Sequence, residues 1–162
     1  MARPPSFDGL RPASVNSSKA KRGNKRVDTW HELLLRRELW RIGLRYRKHV
    51  KDLPGTPDLV FRRARVVVFC DGDFWHGRNW RRLRCNLDRG TNAEYWTRKI
   101  AANIKRDVRI TSVLKQNGWR VVRMWETDIL RDATSRARLI KKVVDSRLNS
   151  KVRRARKREQ RG

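Results

Sequence analysis

The sequence predicts an α/β fold in which a small mixed β-sheet is flanked by helices, and three observations predict it. Two β-rich runs, residues 57–62 and 65–70, are separated by a connection of two or three residues, which is typical of a hairpin. A long helical pattern over residues 93–117 is followed directly by an apolar strand over residues 119–125. One helix precedes these elements and another follows them, an order that favours a mixed sheet between helices.

The first element is a helix that begins at a capping box. Thr29 is followed three residues later by Glu32, and apolar side chains then recur at helical spacing until Gly43 ends the pattern. Residues 44–48 follow as a short predicted strand. Two prolines and a glycine within residues 51–57 predict a turn before the hairpin.

Residues 71–92 have neither a helical nor a strand period, so we expect a long loop there. A loop with this aromatic and basic content is more often functional than a mere connection. The helix after it is closed by Gly118. A last helix of about residues 129–148 is predicted to precede a charged run over residues 151–162. The notable side chains of the loop are Phe74, Trp75, His76, Trp80 and several arginines.

The chain is strongly basic, and the charge is not confined to its ends. The 162 residues fit one domain, and their formal net charge is +27. Residues 1–26, a predicted disordered arm, carry +6, and residues 150–162, a predicted disordered tail, carry another +6. Residues 27–149, the predicted folded domain, therefore carry +15. A polyanion is the expected partner, and double-stranded DNA fits best because lysine and arginine neutralise its phosphates.

Several other classes of protein are disfavoured. No run reaches the roughly 18 apolar residues that a membrane span needs. The N-terminal residues lack the apolar stretch of a secretory signal, although their Arg and Ser content leaves a transit peptide open. Cys70 and Cys85 are too few for a disulfide framework, so a reducing interior is expected. A basic nucleic-acid-binding protein without catalysis remains an alternative.

Asp58 is the first residue that indicates chemistry. If the hairpin turn is centred at Arg63 or Ala64, antiparallel pairing places Asp58 across from Phe69 or Cys70. A carboxylate would then lie beside backbone carbonyl groups where the second strand ends. Oxygen donors on rigid neighbouring strands suit Mg²⁺. A solvated aspartate in a turn is the alternative.

His76 and Asp107 are candidates for acid–base chemistry. A loop histidine has a pKa near neutrality and can take a proton from an attacking water. Asp107 follows Ile100 by seven residues, or about 700° of helix rotation, so both lie on one apolar stripe. A carboxylate there needs a partner. His76 is one candidate, and an ion pair with Arg120 or Arg123 is the other.

Several segments occur together in a characteristic order. They are ELLLRREL at 32–39, GLRYR at 43–47, LPGTPDLVF at 53–61, VVFCDGDFWHG at 67–77, EYWTRKI at 94–100 and GWRVV at 118–122, with Asn103, Arg106, Asp107, Trp125 and Glu126. Over about residues 26–130 this order resembles the very short patch repair (Vsr-type) DNA mismatch endonucleases of the restriction-endonuclease-like superfamily. Each segment is a weak signal alone, and the ordered combination is a strong one.

The resemblance implies a fold like that of type II restriction enzymes and Mg²⁺-dependent cleavage of one DNA strand beside a thymine mispaired with guanine. It implies that the Asp58 carboxylate and the Cys70 backbone carbonyl bind Mg²⁺. It also implies that His76 is the general base and that Asp107 orients it. Glu32 would lie in the outer shell of the metal ion. Its position in the capping box is by itself enough to explain a carboxylate at this residue.

The resemblance further implies contacts to DNA around the loop. Phe74, Trp75 and Trp96 would be aromatic wedges that unstack a base step beside the mismatch, at a cost of about a few kcal/mol. Arg78 and Lys99 are candidate basic contacts. Trp96 also lies on the apolar stripe of its helix, where an ordinary core position is the alternative.

Two departures from the family pattern affect these expectations. Family members hold a structural Zn²⁺ with cysteine and histidine, but the matching positions here are Asp73, Arg78, Trp80 and Thr127. We therefore expect no zinc site, and an Asp73–Arg78 ion pair as the brace of the loop instead. Asp71 replaces a histidine that commonly contacts phosphate. It is a further candidate metal ligand, and it puts the retention of substrate specificity in doubt.

Two alternatives compete with a mismatch nickase. A homing or restriction-type endonuclease of the same fold would cut intact DNA. A site of that type is expected to have an acidic residue at position 70 and a lysine at position 72, but this chain has Cys70 and Gly72. A basic DNA-binding protein without catalysis would not need a carboxylate such as Asp107 on the buried apolar stripe of a helix, so this alternative leaves Asp107 unexplained. The favoured interpretation is a monomeric enzyme of prokaryotic type that acts in the cytoplasm on nucleoid DNA.

Overall fold

The computed structural model describes residues 27–160, apart from the side chains at positions 151 and 154–159. The predicted N-terminal arm, residues 1–26, lies outside the described residues. A four-stranded mixed sheet with helices confirms the predicted α/β class. The elements are α1 (Trp30–Arg41), β1 (Arg47–Lys48), β2 (Leu59–Phe61), β3 (Val66–Asp71), α2 (Trp80–Leu87), α3 (Ala93–Gln116), β4 (Arg120–Trp125), α4 (Glu126–Arg131) and α5 (Ala133–Glu159).

Helix α1 begins at the predicted cap, with a different set of hydrogen bonds. Thr29 is the N-cap with an extended backbone, and its carbonyl accepts the Leu33 N–H at 3.0 Å. Its hydroxyl donates to the Glu32 carboxylate at 2.7 Å instead of accepting a helix N–H. Glu32 in turn accepts the backbone N–H of Asp28 at 3.1 Å. Gly43, with φ of +81°, follows the C-cap and lets the chain turn away.

The sheet has the order β1-β2-β3-β4, with one parallel pair at its edge. Strands β1, β2 and β3 are antiparallel neighbours, and β3 and β4 are parallel. In the β2–β3 hairpin, Leu59 pairs with Val68 and Phe61 pairs with Val66. Continuing this register by one residue sets Asp58 opposite Phe69, in agreement with the first of the two predicted registers.

Helices cover both faces of the sheet. On one face, strand residues pack against α1, α4 and α5, and on the other they pack against α3. The first core consists of Leu35, Leu39, Leu59, Phe61, Ala64, Val66, Val68, Val122, Met124, Ile129, Ala133, Ala137, Ile140 and Val144. The second consists of Val50, Val60, Val67, Phe69 and Leu114. Alternate residues of β2, β3 and β4 thus enter different cores, as the two-residue period of a strand requires.

The region between β3 and α3 is not all loop, contrary to the prediction. Residues Trp80–Leu87 form α2, which has no fully buried residue and rests on α3. Its apolar side chains Trp80, Leu83 and Leu87 lie at helical spacing, but three arginines between them obscure the pattern. The other predicted elements are present, and β1 is limited to two residues.

The C-terminal region also differs from the prediction. The expected helix over 129–148 is two helices, because Asp132 has an extended φ of −156° and separates α4 from α5. Helix α5 continues through Glu159, where a disordered tail was expected. Lysine and arginine have good intrinsic helix propensity, so a charged sequence can extend a helix that tertiary packing has already started. None of the described helices is long and apolar enough to cross a membrane.

The packing of α1 gives a stability test. Leu35 is fully buried in the first core, whereas Leu33 on the same helix is 46% exposed. We expect Leu35→Ala to lower the free energy of unfolding by about 2–5 kcal/mol through lost burial and a residual cavity. Leu33→Ala is the matched control and should cost less than about 1 kcal/mol. Urea unfolding measures both, and equal losses would contradict this packing.

Candidate active site

The β2–β3 hairpin places Asp58 beside the end of β3. The Asp58 carboxylate accepts a hydrogen bond of 2.7 Å from the backbone N–H of Cys70. The two residues come together because a short hairpin turn fixes the register of the strands. A side-chain carboxylate and the backbone at the strand end are therefore neighbours, as the hairpin argument required.

The surroundings of Asp58 disfavour its negative charge. Burial raises the pKa of Asp58 to about 6, and the Cys70 N–H opposes this rise. The carboxylates of Glu32 and Asp71 raise the pKa further, and His49 lowers it. A carboxylate among other carboxylates is ionised more easily when a cation is bound. The donor set therefore fits a hard divalent cation with oxygen ligands.

Glu32 belongs to a buried polar group at the start of α1. Its side chain is 5% exposed and accepts hydrogen bonds from the Asp28 N–H and the Thr29 hydroxyl. Asp28, Glu32 and His49 offer three ligand atoms within 4.8 Å of one another. The Arg36 guanidinium lies 2.5 Å from Asp28 and 3.8 Å from Glu32, so a positive charge already balances the group. This network fixes the start of α1 close to the hairpin.

His76 and Asp107 form a direct contact between the loop and α3. His76 Nδ1 lies 2.6 Å from Asp107 Oδ2. Burial alone would raise the pKa of Asp107, but the His76 hydrogen bond and the charge of Arg123 hold it below its usual value. An ionised carboxylate only accepts hydrogen bonds, so Nδ1 carries the hydrogen, and in a neutral imidazole this leaves the lone pair on Nε2. Of the two partners considered for Asp107, the structure supplies both.

Arg123 connects Asp107 to Asp71. Its Nε and Nη2 atoms donate to the two oxygens of Asp71 at 2.6 and 2.7 Å. Nη2 also lies 3.3 Å from Asp107 Oδ2. These residues and His76 line one cleft of about 470 Å³. Arg123 thus engages both oxygens of Asp71 and compensates the charge of the carboxylate that the sequence suggested as a further metal ligand.

The loop that carries His76 is held against α3 on both sides of the histidine. Gly77 has φ of +68°, and a Cβ atom there would lie 2.6 Å from Ile104 Cδ1. The Asn103 side chain donates a hydrogen bond of 2.9 Å to the backbone oxygen of Trp75. The positive φ and the close approach of Ile104 thus both favour glycine at position 77. Together these contacts fix the backbone on which His76 sits.

Phe74, Trp75 and Trp96 form an aromatic cluster beside this loop. Their ring centroids lie 5.2 to 5.8 Å apart in edge-on or tilted orientations. Phe74 is 38% exposed, and both tryptophans are partly buried. Tyr95 packs edge-on against Trp96 at 5.1 Å. Trp96 is therefore a member of a surface cluster with the two loop residues, and it is not enclosed in either core.

The two predicted basic contacts have different surroundings. Arg78 lies 3.2 Å from Asp73, as the predicted ion pair requires, and 2.8 Å from Asp128. Asp73 also accepts hydrogen bonds from the backbone N–H and the hydroxyl of Thr127. Three of the positions that match zinc ligands are thus joined by charge and hydrogen bonds. Lys99 is partly buried on α3, one turn after Trp96.

Sequence reasoning does not single out two histidines near α1. His31 is 6% exposed, and its ring contacts the Thr29 hydroxyl at 3.1 Å and Glu126 at 3.6 Å. His49 contacts Asp28 at 3.3 Å. The one local signal is the dense run of polar residues around the helix cap. Their association with the hairpin depends on tertiary structure.

Comparisons with known proteins identify the family of this chain. The family model described as DNA mismatch endonuclease Vsr matches residues 12–82. The type II nicking enzyme V.NmeDIP of Neisseria meningitidis serogroup C is 40% identical over 126 residues, which cover 78% of this chain and 84% of the relative. V.HpaIIP of Haemophilus parainfluenzae, another type II nicking enzyme, is 38% identical over 127 residues, which cover 78% of this chain and 89% of the relative. The DNA mismatch endonuclease Vsr of Escherichia coli K12 is 41% identical over 86 residues, or 52% of each chain.

The raised pKa of Asp58 predicts that its charge destabilises the metal-free fold. The folded chain holds this proton up to about pH 6 and the unfolded chain up to 3.8, so stability falls as pH rises through that window. With a chelator at pH 7.5, we expect Asp58→Asn to raise the free energy of unfolding by about 1–3 kcal/mol. Urea unfolding measures the effect.

The same comparison at low pH is the control for this prediction. Below pH 3.8 the Asp58 carboxyl is protonated in both states, so the advantage of the variant should disappear. Asp145→Asn removes an exposed carboxylate on α5 and should show no such gain. An Asp58→Asn chain that is less stable than the parent at pH 7.5 would contradict the assignment.

Proposed function

The chain belongs to the Vsr family of DNA mismatch endonucleases, and from this membership we propose that it nicks one strand of duplex DNA beside a T:G mismatch in very short patch mismatch repair. The observation that carries the proposal is the 2.6 Å hydrogen bond between His76 and Asp107. The same nitrogen of His76, Nδ1, lies 3.6 Å from Asp71 Oδ1, and the charge of Asp71 also raises the pKa of Asp58. A candidate base and a candidate metal ligand thus share one neighbour.

His76 acts as the general base in this proposal. Its Nδ1–H is donated to Asp107, so the Nε2 lone pair is available to take a proton from the attacking water. The imidazolium that results is stabilised by the Asp107 carboxylate at the other nitrogen. Asp107 therefore orients the ring and compensates its charge without receiving the proton.

Magnesium is the proposed cofactor, held by the Asp58 carboxylate and the Cys70 backbone carbonyl. When bound, the ion would polarise the phosphodiester and stabilise the charge that develops on its oxygens. We assign Glu32, whose charge acts on Asp58, to the outer shell of this site. Asp71 is left out of the ligand set because Arg123 occupies both of its oxygens.

The aromatic cluster is proposed to recognise the mismatch. Phe74 and Trp75, supported by Trp96, would enter the base stack, where unstacking is least costly at a weakly paired step. Support for this role comes from the partial exposure of Phe74 and from the mutual packing of the three rings. Rings that brace one another lose little additional freedom when they insert.

The basic surface is proposed to hold the DNA backbone. The formal net charge of +27 favours a polyanion, and Lys99, one turn after Trp96 on α3, is the proposed phosphate contact beside the aromatic cluster. Arg78 is engaged by Asp73 and Asp128, so we assign it mainly to bracing the loop. The enzyme is proposed to act as a monomer on cytoplasmic DNA.

A second candidate is nicking of an intact recognition sequence. It is favoured by the names of two relatives, which are called type II nicking enzymes. It is disfavoured by Cys70 and Gly72, which take the places of the acidic residue and lysine of a restriction-type site. The two candidates differ only in the DNA that is cut, so one assay separates them.

The substrate test uses duplexes that are labelled on each strand and differ only in one T:G or T:A pair. We expect nicking of the thymine strand of the mismatch, with Mg²⁺ and not with a chelator. Cutting of the matched duplex at the same rate would support the second candidate. Binding to both duplexes without any cleavage, at several divalent-ion concentrations, would refute the enzyme mechanism.

The acid–base assignment predicts separate effects on rate and binding. His76→Ala should slow single-turnover nicking by about 10²–10⁴-fold, the range expected for loss of a general base. Asp107→Asn should also slow nicking, since an amide no longer selects the Nδ1–H tautomer as a carboxylate does. Fluorescence anisotropy should give DNA affinities within about 3-fold of the parent for both, because neither group neutralises a phosphate.

Asp145→Asn is the matched control for the loss of an aspartate. Asp145 pairs with Lys141 on the exposed side of α5, far in the chain from the loop and the hairpin. Its nicking rate should equal that of the parent. A parent-like rate in His76→Ala would remove His76 from the mechanism.

A further inference from the structure

Two carboxylates surround one nitrogen of His76. Nδ1 lies 2.6 Å from Asp107 Oδ2 and 3.6 Å from Asp71 Oδ1. Both side chains are largely covered, with exposures of 13% for Asp107 and 3% for Asp71. Nδ1 has a single hydrogen to donate, and two buried anions of like charge repel each other. A further group has to determine which carboxylate receives that hydrogen.

Arg123 is placed to make this selection. Its planar fork donates two hydrogen bonds to Asp71, at 2.6 and 2.7 Å, which uses both carboxylate oxygens. Bidentate pairs of this kind are strong and geometrically specific. Arg123 thus compensates the negative charge of Asp71, and His76 Nδ1–H donates its hydrogen bond to Asp107. Nη2 of the same arginine also lies 3.3 Å from Asp107 Oδ2 and supports its negative charge.

The sheet fixes the position of this ion pair. In the parallel β3–β4 pair, Phe69 is opposite Arg123 and Asp71 is opposite Trp125. Arg123 and Asp71 are therefore diagonal neighbours whose side chains leave the same face of the sheet. The Arg123 guanidinium carbon also lies 5.0 Å from the centroid of the Phe69 ring. Two paired strands and an aromatic ring thus restrain the guanidinium.

We propose that Asp71 and Arg123 are positioning residues of the nicking reaction. The pair holds Asp107 as the sole acceptor of the His76 Nδ1–H and thereby keeps Nε2 directed at the reacting water. The inference rests on the proposed function, because it concerns the orientation of the proposed base. It also gives a role to Asp71, which stands where the family commonly has a histidine.

The first test is a double-mutant cycle on the ion pair. Arg123→Gln leaves the Asp71 carboxylate uncompensated beside Nδ1, and Asp71→Asn frees Arg123 to compete for Asp107. We expect each to slow single-turnover nicking at saturating DNA by about 10–100-fold, with affinity for DNA changed by less than about 3-fold. Asp71→Asn combined with Arg123→Gln leaves neither charge unpaired and should recover most of the lost rate.

Matched controls separate positioning from general loss of charge. Asp52 and Arg62 form an exposed ion pair at 2.7 Å on another part of the surface. Asp52→Asn and Arg62→Gln should leave the nicking rate unchanged, since an exposed pair contributes little. If Arg123→Gln does not fold, Arg123→Lys keeps the charge without the fork and should give an intermediate rate.

A spectroscopic test needs no DNA. In the folded parent, the His76 Nδ1–H should give a downfield proton resonance typical of a short hydrogen bond, assigned among the three histidines of the chain by substitution. Each single variant should shift or broaden this resonance, and the double variant should restore it. An ion pair that served stability alone would leave the resonance in place.

The outcomes of these tests are distinguishable. The positioning role is overturned if the parent nicks DNA while the single variants nick at the parent rate. It is also overturned if the double variant is no faster than the singles, or if the whole loss lies in DNA affinity. If the resonance responds as expected but the parent cuts no duplex, the proposed function fails and the positioning of His76 stands.

Discussion

The hydrogen bond from His76 to Asp107 joins residues 31 positions apart in the chain, one on a loop after β3 and one in the middle of α3. Its formation requires several conditions at once. Helix α3 must direct a carboxylate toward the sheet, and the loop must approach that helix as closely as Gly77 allows. A buried carboxylate is costly without compensation, so His76 and Arg123 must both reach it. The cleft is organised around this contact.

Asp58 and Asp107 illustrate how surroundings differentiate two residues of the same type. Burial and neighbouring carboxylates raise the pKa of Asp58, whereas His76 and Arg123 lower the pKa of Asp107 despite its burial. A carboxylate among anions favours a bound cation, and a carboxylate among cations favours an oriented donor. Under the proposed mechanism this difference separates metal binding from base orientation, although both groups lie around one end of the sheet.

Much of this arrangement follows from chain periodicity. The short hairpin connection predicts that Asp58 lies near Phe69 or Cys70, and the helical repeat predicts that Asp107 faces inward with Ile100. Periodicity describes one element at a time, so it does not decide between His76 and an arginine as the partner of Asp107. The bidentate pairing of Asp71 with Arg123 depends on a parallel contact between strands that are distant in sequence. Helix α2 escapes prediction because none of its residues is buried and its three arginines are as many as Trp80, Leu83 and Leu87 together.

The contacts that hold the His76 loop on α3 determine whether the protein or the DNA changes conformation when the two bind. Four residues separate Asp71 from His76, and Asn103, Ile104 and Asp107 fix the segment on α3. So short a tether gives the imidazole little reach, and under the proposed mechanism the scissile phosphate has to be brought to it. The free energy of distortion then falls on the double helix. A flexible or poorly stacked base step costs less free energy to bend than a well-paired one. A rigid protein can therefore distinguish base steps by how easily the DNA bends, without a hydrogen bond to every base.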